Sequence, residues 1–242
     1  MAGGNYYLQA TRHPWPSFVL LLPLLLTYEV GVLWLGGPQP DTLRNGADTW
    51  MRWGLEAVGL GHPCWPPALL AVFFLLWCLL RSDSCPKDLI GVVSAMVIEA
   101  VFFALGLWGL SRALGPVLEG FGIPLAWHPA TAEALRQTIT FIGAGVYDEV
   151  LFRLLLFTGL VRLMQLVFIP LLLAVPVAAS ASAALFSAAH YVGPYGEVFH
   201  TYTFLFRMLA GLYFAAVYQF RGFGIAAGSH ALYDVVVGVS LS

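Results

Sequence analysis

Tyr147-Asp148-Glu149-Val150-Leu151-Phe152-Arg153 sets two adjacent acids and an arginine inside an apolar run. Phe141-Ile142-Gly143-Ala144-Gly145-Val146 precedes it and Leu154-Leu155-Leu156-Phe157 follows. Charges at the centre of an apolar helix cost about 2.5–3.5 kcal/mol each on insertion scales, so they are rarely kept without a use. Read as a helix, Glu149 and Arg153 are i,i+4 neighbours and can pair. Asp148 lies about 100° round the axis and needs a partner from another element. Two later stretches offer one, Phe186-Ser187-Ala188-Ala189-His190 and His230-Ala231-Leu232-Tyr233-Asp234. Acids on one helix and histidines on two others, all in apolar surroundings, predict a buried reaction centre.

The rest of the chain fits that setting. Of its 242 residues 60% are hydrophobic and only 10% charged, where soluble domains carry about a quarter charged residues. Mean hydropathy is +0.81. The expected fold is all-α, a polytopic membrane helix bundle of about seven transmembrane helices with a buried polar site on the last four. A formal net charge of −2 and the lack of a basic tract argue against nucleic acid as a partner. Cys64, Cys78 and Cys85 are an odd number without metal-ligand spacing and imply no disulfide framework. No internal repeat or linker marks a second domain, so residues 1–242 read as one membrane-embedded unit. Inverted repeats, the usual sign of a transporter, are not visible.

In chain order the expected spans are Pro16 to Trp34, Trp65 to Leu80, Asp88 to Leu110, Leu135 to Leu166, Phe168 to His190, Phe199 to Phe220 and Phe223 to Leu241. The fourth is longer than a bilayer needs, so it tilts or its ends emerge. Gly36 to Pro63 reads as a polar connection. Within it, Thr49 to Val58 forms an interfacial segment anchored by Trp50 and Trp53. Arg112 to Ala134 reads as a loop broken by Gly120, Gly122, Pro124 and Pro129, and Tyr191 to Glu197 as a Gly/Pro loop. The first apolar run contains Glu29 and lacks a small-residue cleavage site, which favours a retained span over a signal peptide. Glu29 is expected to serve structure near the membrane edge or against a neighbouring helix. Glu99 is expected to make a helix-to-helix hydrogen bond when protonated. Arg207 is expected to pair with Glu29, Glu99 or Glu149, with binding of a substrate carboxylate as the lesser alternative. With the N-terminus inside, Arg12, Arg81, Lys87, Arg162 and Arg221 fall inside and Arg44, Arg52, Arg112 and Arg136 outside, a weak bias for that orientation. Small residues in Ala178-Ala179-Ser180-Ala181-Ser182-Ala183-Ala184 permit close helix approach beside His190.

Asp148-Glu149-x-x-x-Arg153, Phe186-x-x-x-His190 and His230-x-x-x-Asp234 occur in that order, each inside a hydrophobic helix. Together they resemble the three motifs of the CPBP (Abi) family, the CAAX-protease and bacteriocin-processing enzymes: E-E-x-x-x-R, F-x-x-x-H and H-x-x-x-N/D. The resemblance covers residues 135–242. Each motif alone is weak; three in order, each in a span, are specific. The resemblance implies a glutamic-type intramembrane endopeptidase that hydrolyses a peptide bond near the membrane surface. A carboxylate of the first motif would take a proton from water. His190 and His230 would position that water and stabilise the oxyanion, with Arg153, Phe186 and Asp234 in support. Asp234 at four residues' spacing can hold His230 in one tautomer. The implied partners are a peptide or membrane-protein substrate and the lipid bilayer. The implied location is a multi-pass protein of a bacterial inner membrane.

One departure matters. The family's first motif residue is glutamate, and here it is Asp148, one methylene shorter; misplacement by about 1 Å can cost 10²-fold in rate. The spacing favours Asp148 as base with Glu149 held by Arg153, and leaves Glu149 as the alternative base. No cofactor is implied. A zinc site using His190, His230 and Glu149 is the alternative, although no H-E-x-x-H spacing occurs. From other classes, a proton-coupled transporter with Glu29, Glu99, Asp148 and Glu149 as a relay, or an inactive scaffold, would fit the same composition. A relay predicts acids spread along a path; a protease predicts them at one depth with the histidines.

Overall fold

The computed structural model describes residues 3–122, 134–193 and 196–239. All regular structure among them is helical: α1 (Gly3–Ala10), α2 (Pro14–Gly36), α3 (Gly46–Ala57), α4 (Trp65–Leu80), α5 (Leu89–Gly120), α6 (Ala134–Asp148), a π-helical stretch (Glu149–Phe157), α7 (Thr158–Leu166), α8 (Leu171–Ala189), α9 (Thr201–Arg221) and α10 (Phe223–Val239). The chain is a helical bundle. Four helices, α2, α5, α8 and α9, are long and apolar enough to cross a membrane. Of the other expected spans, α4 is apolar but has 16 residues, α10 has 17, and the fourth is divided by the π-helical stretch that carries the motif.

Local chemistry sets the helix starts. α2 and α4 open with proline in the first turn, where a missing N–H costs nothing. Asn45 caps α3 by accepting from the amides of Ala47 (2.8 Å) and Asp48 (3.3 Å), and Asp88 caps α5 by accepting from Gly91 (2.9 Å). α9 and α10 are joined by Gly222 alone, at φ 98°, a conformation that disfavours any side chain. A Cβ there would also stand 2.8 Å from the Thr11 carbonyl oxygen.

Two expectations need correction. The third span does not end at Leu110, because α5 continues to Gly120 through Pro116. The residues after Leu110, Ser-Arg-Ala-Leu, are compatible with helix, and the glycines that stop it come ten positions later. The remainder of that expected loop, residues 123–133, lies outside the described residues, as do 194–195 of the loop after His190 and the last residues of the seventh span. The segment expected at Thr49 to Val58 starts earlier, at Gly46, since Asn45 is its cap.

α10 lies at the centre, packed on α6, α5 and α9, and α8 packs on α9. Close approach is bought with small residues. A Cβ on Gly145 would meet the Ala231 methyl at 2.4 Å, and one on Gly211 would meet that of Ala183 at 2.9 Å. The first contact seats α10 on the helix carrying Asp148. The second seats α9 on the helix carrying Phe186 and His190.

Candidate active site

The acids stand where the helix changes its winding. From Glu149 to Phe157 the backbone is π-helical; the amide of Thr158 still donates to the Arg153 carbonyl, five residues back. π stretches of this length are rare and cluster at functional sites. Carbonyls loosened by the wider turn are met by side chains. Ser182 of α8 donates to the Phe152 oxygen at 2.5 Å, and the Thr158 hydroxyl donates to that of Arg153 at 3.1 Å.

Asp148 is 3% exposed and Glu149 and Arg153 are fully buried. Glu149 and Arg153 form the expected ion pair, Oε1 to Nη1 at 3.1 Å. Arg153 also donates from Nη2 to the Gly211 oxygen at 3.3 Å. Its guanidinium carbon lies 4.5 Å from the centre of the Phe186 ring and 5.6 Å from that of Phe214. Two aromatic faces thus take up a cation that has few oxygens around it.

His230, 3% exposed, places Nδ1 2.8 Å from the same Glu149 Oε1 and Nε2 3.4 Å from Asp234 Oδ2. Asp234 does face His230, as its spacing predicts, but Glu149 from another helix is the shorter contact. With a carboxylate on each nitrogen, both ring positions are suited to donate. The ring stacks on Phe214, centroids 4.4 Å apart at 18°.

His190 closes the end of α8 and donates from Nδ1 to the Phe186 oxygen at 2.9 Å. That bond fixes the tautomer of a neutral ring and leaves Nε2 as its acceptor. Phe186 stands between the two histidines, 5.0 Å from the His190 ring and 5.8 Å from that of His230, edge-on to both. The phenylalanine of the second motif is therefore the shared wall of both imidazoles and Arg153.

Asp148 differs from its neighbour. It lies within electrostatic reach of His230, Arg153, Asp234 and Glu149, yet its carboxylate accepts no hydrogen bond among the described residues. The partner expected from another element is not a hydrogen-bonding one. Oε2 of Glu149 is likewise buried without a hydrogen-bond partner, as are Nε and Nη1 of Arg153. Among the described residues no group of three or more His, Cys, Asp or Glu side chains is arranged to hold a metal ion.

The comparison with known families bears on residues 130–236, which match the model described as Type II CAAX prenyl endopeptidase Rce1-like. That segment is similar to the Rce1-like family. It holds the π-helical stretch, α8, α9 and the histidine-bearing part of α10, and it agrees with the family resemblance of the three motifs. The Rce1-like family is one of CAAX proteases, hydrolases acting on peptide or protein substrates in a membrane. No curated protein matches the chain, and no solved structure does.

The other charged residues are placed elsewhere. Glu29 meets Arg44 and Arg52, each at 3.3 Å, and accepts from the Tyr147 hydroxyl at 2.7 Å. Glu99 on α5 accepts from the guanidinium of Arg221 at the end of α9 and from the hydroxyl of Tyr7 (2.8 Å), the expected helix-to-helix bond made as an ion pair. Arg207 is paired, as expected, but with none of the three acids named for it; both its terminal nitrogens reach Glu197, at 2.9 and 2.7 Å. Glu197 follows the helix and its backbone is tied to the His190 oxygen at 2.9 Å, so a loop supplies the nearer acid. Phe214 and Gly211, which touch the site from α9, escape motif reading because a lone aromatic and a lone glycine carry no signal in an apolar helix.

Proposed function

We propose that this chain is an intramembrane endopeptidase of glutamic type, working in the plasma membrane of a bacterium. Asp148 acts as general base on water and then as acid to the leaving group, and the two histidines position the water and stabilise the oxyanion. The observation that carries this reading is the gathering of acids and histidine at one point of the bundle. Asp148, Glu149 and Asp234 lie together with His230, beside Phe186 and His190. Glu29 and Glu99 are both held by arginines, in separate clusters. Gly222 touches Thr11, so the Arg221 cluster lies near the start of α2. Glu29 lies roughly 20 Å further along that helix. Acids gathered with histidines serve one reaction.

Hydrolysis then follows from the residues. Water gives a proton to Asp148 as its oxygen bonds to the peptide carbonyl carbon, and the C=O pair moves onto oxygen. That oxyanion is stabilised when His190 Nε2, an acceptor in the neutral ring, carries a proton and donates to it, in a dry site where donors count for more. The proton on Asp148 passes to the leaving nitrogen as the oxyanion re-forms C=O and the C–N bond breaks, giving a carboxylic acid and an amine. Glu149 holds His230 and Arg153 in place, and Asp148 is the carboxylate left uncommitted. A second reading rests on the unpartnered Oε2 of Glu149, which would make that residue the base.

Purified protein in detergent, assayed on a quenched peptide library with and without chelator, tests both. Wild type is expected to cleave in chelator, and His190→Ala, His230→Ala and Asp148→Ala are expected to lose about 10²–10⁴-fold. Loss in Glu149→Gln with survival of Asp148→Ala would move the base to Glu149. Loss with chelator would install the metal reading. Absence of any cleavage that these variants remove would leave the transporter and the scaffold.

A further inference from the structure

Tyr147 is fully buried in an apolar core and still carries a hydroxyl. A buried hydroxyl is kept where it has a strong partner, and here the partner is a carboxylate on a different helix, Glu29 Oε1 at 2.7 Å. Glu29 is not free to follow. Arg44 and Arg52 each hold it at 3.3 Å, and each also holds Asp48 at 2.8 Å. Tyr28 ties the same group to α2. Its hydroxyl donates to Asp48 at 2.9 Å and accepts from the Asn45 amide at 3.0 Å. Its ring lies 5.5 Å from that of Tyr147 and fills the space a Cβ on Gly143 would need, at 2.2 Å.

This fixed network grips α6 one residue before Asp148, and the helix leaves α winding immediately after, at Glu149. Among the described residues the Asp148 carboxylate has no hydrogen bond to set its direction. Its aim is therefore inherited from the rotation of α6 at Tyr147. Tyr147 lies within residues 130–236, whereas the polar groups that its hydroxyl ties it to come from residues 28–52.

We propose that Tyr147 and Glu29 are positioning residues for Asp148: their hydrogen bond transmits the rigidity of the Arg44–Asp48–Arg52 network to the carboxylate that activates water. The inference rests on the proposed role of Asp148. It gives the N-terminal half a part in the chemistry without contact with substrate. It also marks Tyr147→Phe as the informative variant, because Glu29 keeps both arginines and the fold is retained.

The experiment measures kcat, KM and thermal unfolding of the full chain in detergent for Tyr147→Phe, Glu29→Gln, Asp148→Ala and Asp148→Ala combined with Tyr147→Phe. Tyr147→Phe is expected to lower kcat by about 10- to 100-fold, the scale of an ångström of misplacement. KM should stay within about twofold, as for an interaction lost only in the transition state. Glu29→Gln, which keeps an acceptor, should fall between. On the Asp148→Ala background the tyrosine change should cost nothing further. A second readout is independent of turnover: labelling of Asp148 by the apolar carboxyl reagent dicyclohexylcarbodiimide, followed by mass spectrometry, should change rate several-fold in Tyr147→Phe. Wild-type kcat in Tyr147→Phe, a loss of equal size with and without Asp148, or an unchanged labelling rate overturns the positioning role. Full activity in Asp148→Ala instead removes the base and the positioning role with it, and so is distinguishable from failure of the tyrosine alone.

Discussion

Two groups of buried charge sit a few residues apart in this molecule and are built on opposite terms. The group around Glu29 has two acids and two arginines. Each acid meets both cations, and two tyrosine hydroxyls bond to the acids. The group around Glu149 gathers Asp148, Glu149 and Asp234 against Arg153 and a histidine, and leaves an oxygen of Glu149 and two nitrogens of Arg153 without hydrogen bonds. Buried polar atoms are nearly always satisfied, so an incomplete set in one place beside a complete set in another is informative. Saturation marks structure; vacancy in the bonding of otherwise well-packed groups marks chemistry.

The contrast can be broken by substitutions on each side. The largest expected effect is on turnover: Asp148→Asn should abolish cleavage, about 10³-fold or more, while unfolding in detergent holds or gains, since an acid leaves a crowd of acids. A loss of stability in Asp148→Asn would place it with the structural group. Asp48→Ala should do the reverse. It strips the buried Arg44 and the part-buried Arg52 of their nearest carboxylate, and breaking buried pairs costs about 3–5 kcal/mol, read as a lower midpoint of thermal unfolding. Glu149→Gln lies between, because Arg153 and His230 lose the negative charge they share. Activity should fall with stability reduced by about 1–3 kcal/mol, the scale of a buried group left unpaired. The smallest effect belongs to the exposed Arg207–Glu197 pair. Glu197→Gln should change stability by under about 1 kcal/mol and fade further in salt.

The sequence makes one of these groups legible and hides the other. Asp148, Glu149, Arg153, Phe186, His190, His230 and Asp234 are spaced at four or adjacent on single helices, and helical period alone brings such residues to one face. The partners of Glu29 come from the polar connection after α2, whose composition announces turns and says nothing of Arg44 and Asp48 folding back beneath the surface. Burial there depends on tertiary packing between segments without shared period. The same limit applies to Glu99, whose partner Arg221 is 122 positions away. The π winding was also out of reach, since an apolar run with an i,i+4 ion pair reads as α whichever way its backbone closes. Phe186 could be matched to a motif, yet only packing shows that it walls both histidines.

The winding of residues 149–157 has a further consequence, one of angular phase. An α-helix advances about 100° per residue; a turn closed over one more residue advances less, and the lag accumulates across nine positions. Tyr147 at one end addresses Glu29 on α2, and Thr158 at the other addresses Tyr218 on α9 at 2.8 Å. Both registrations depend on that accumulated lag. Removing a single residue between them would let the backbone return to ordinary α winding, with every amide bonded, and would still dial one of the two ends away from its partner. The length of this stretch is therefore constrained to the residue, more tightly than the identity of most side chains along it.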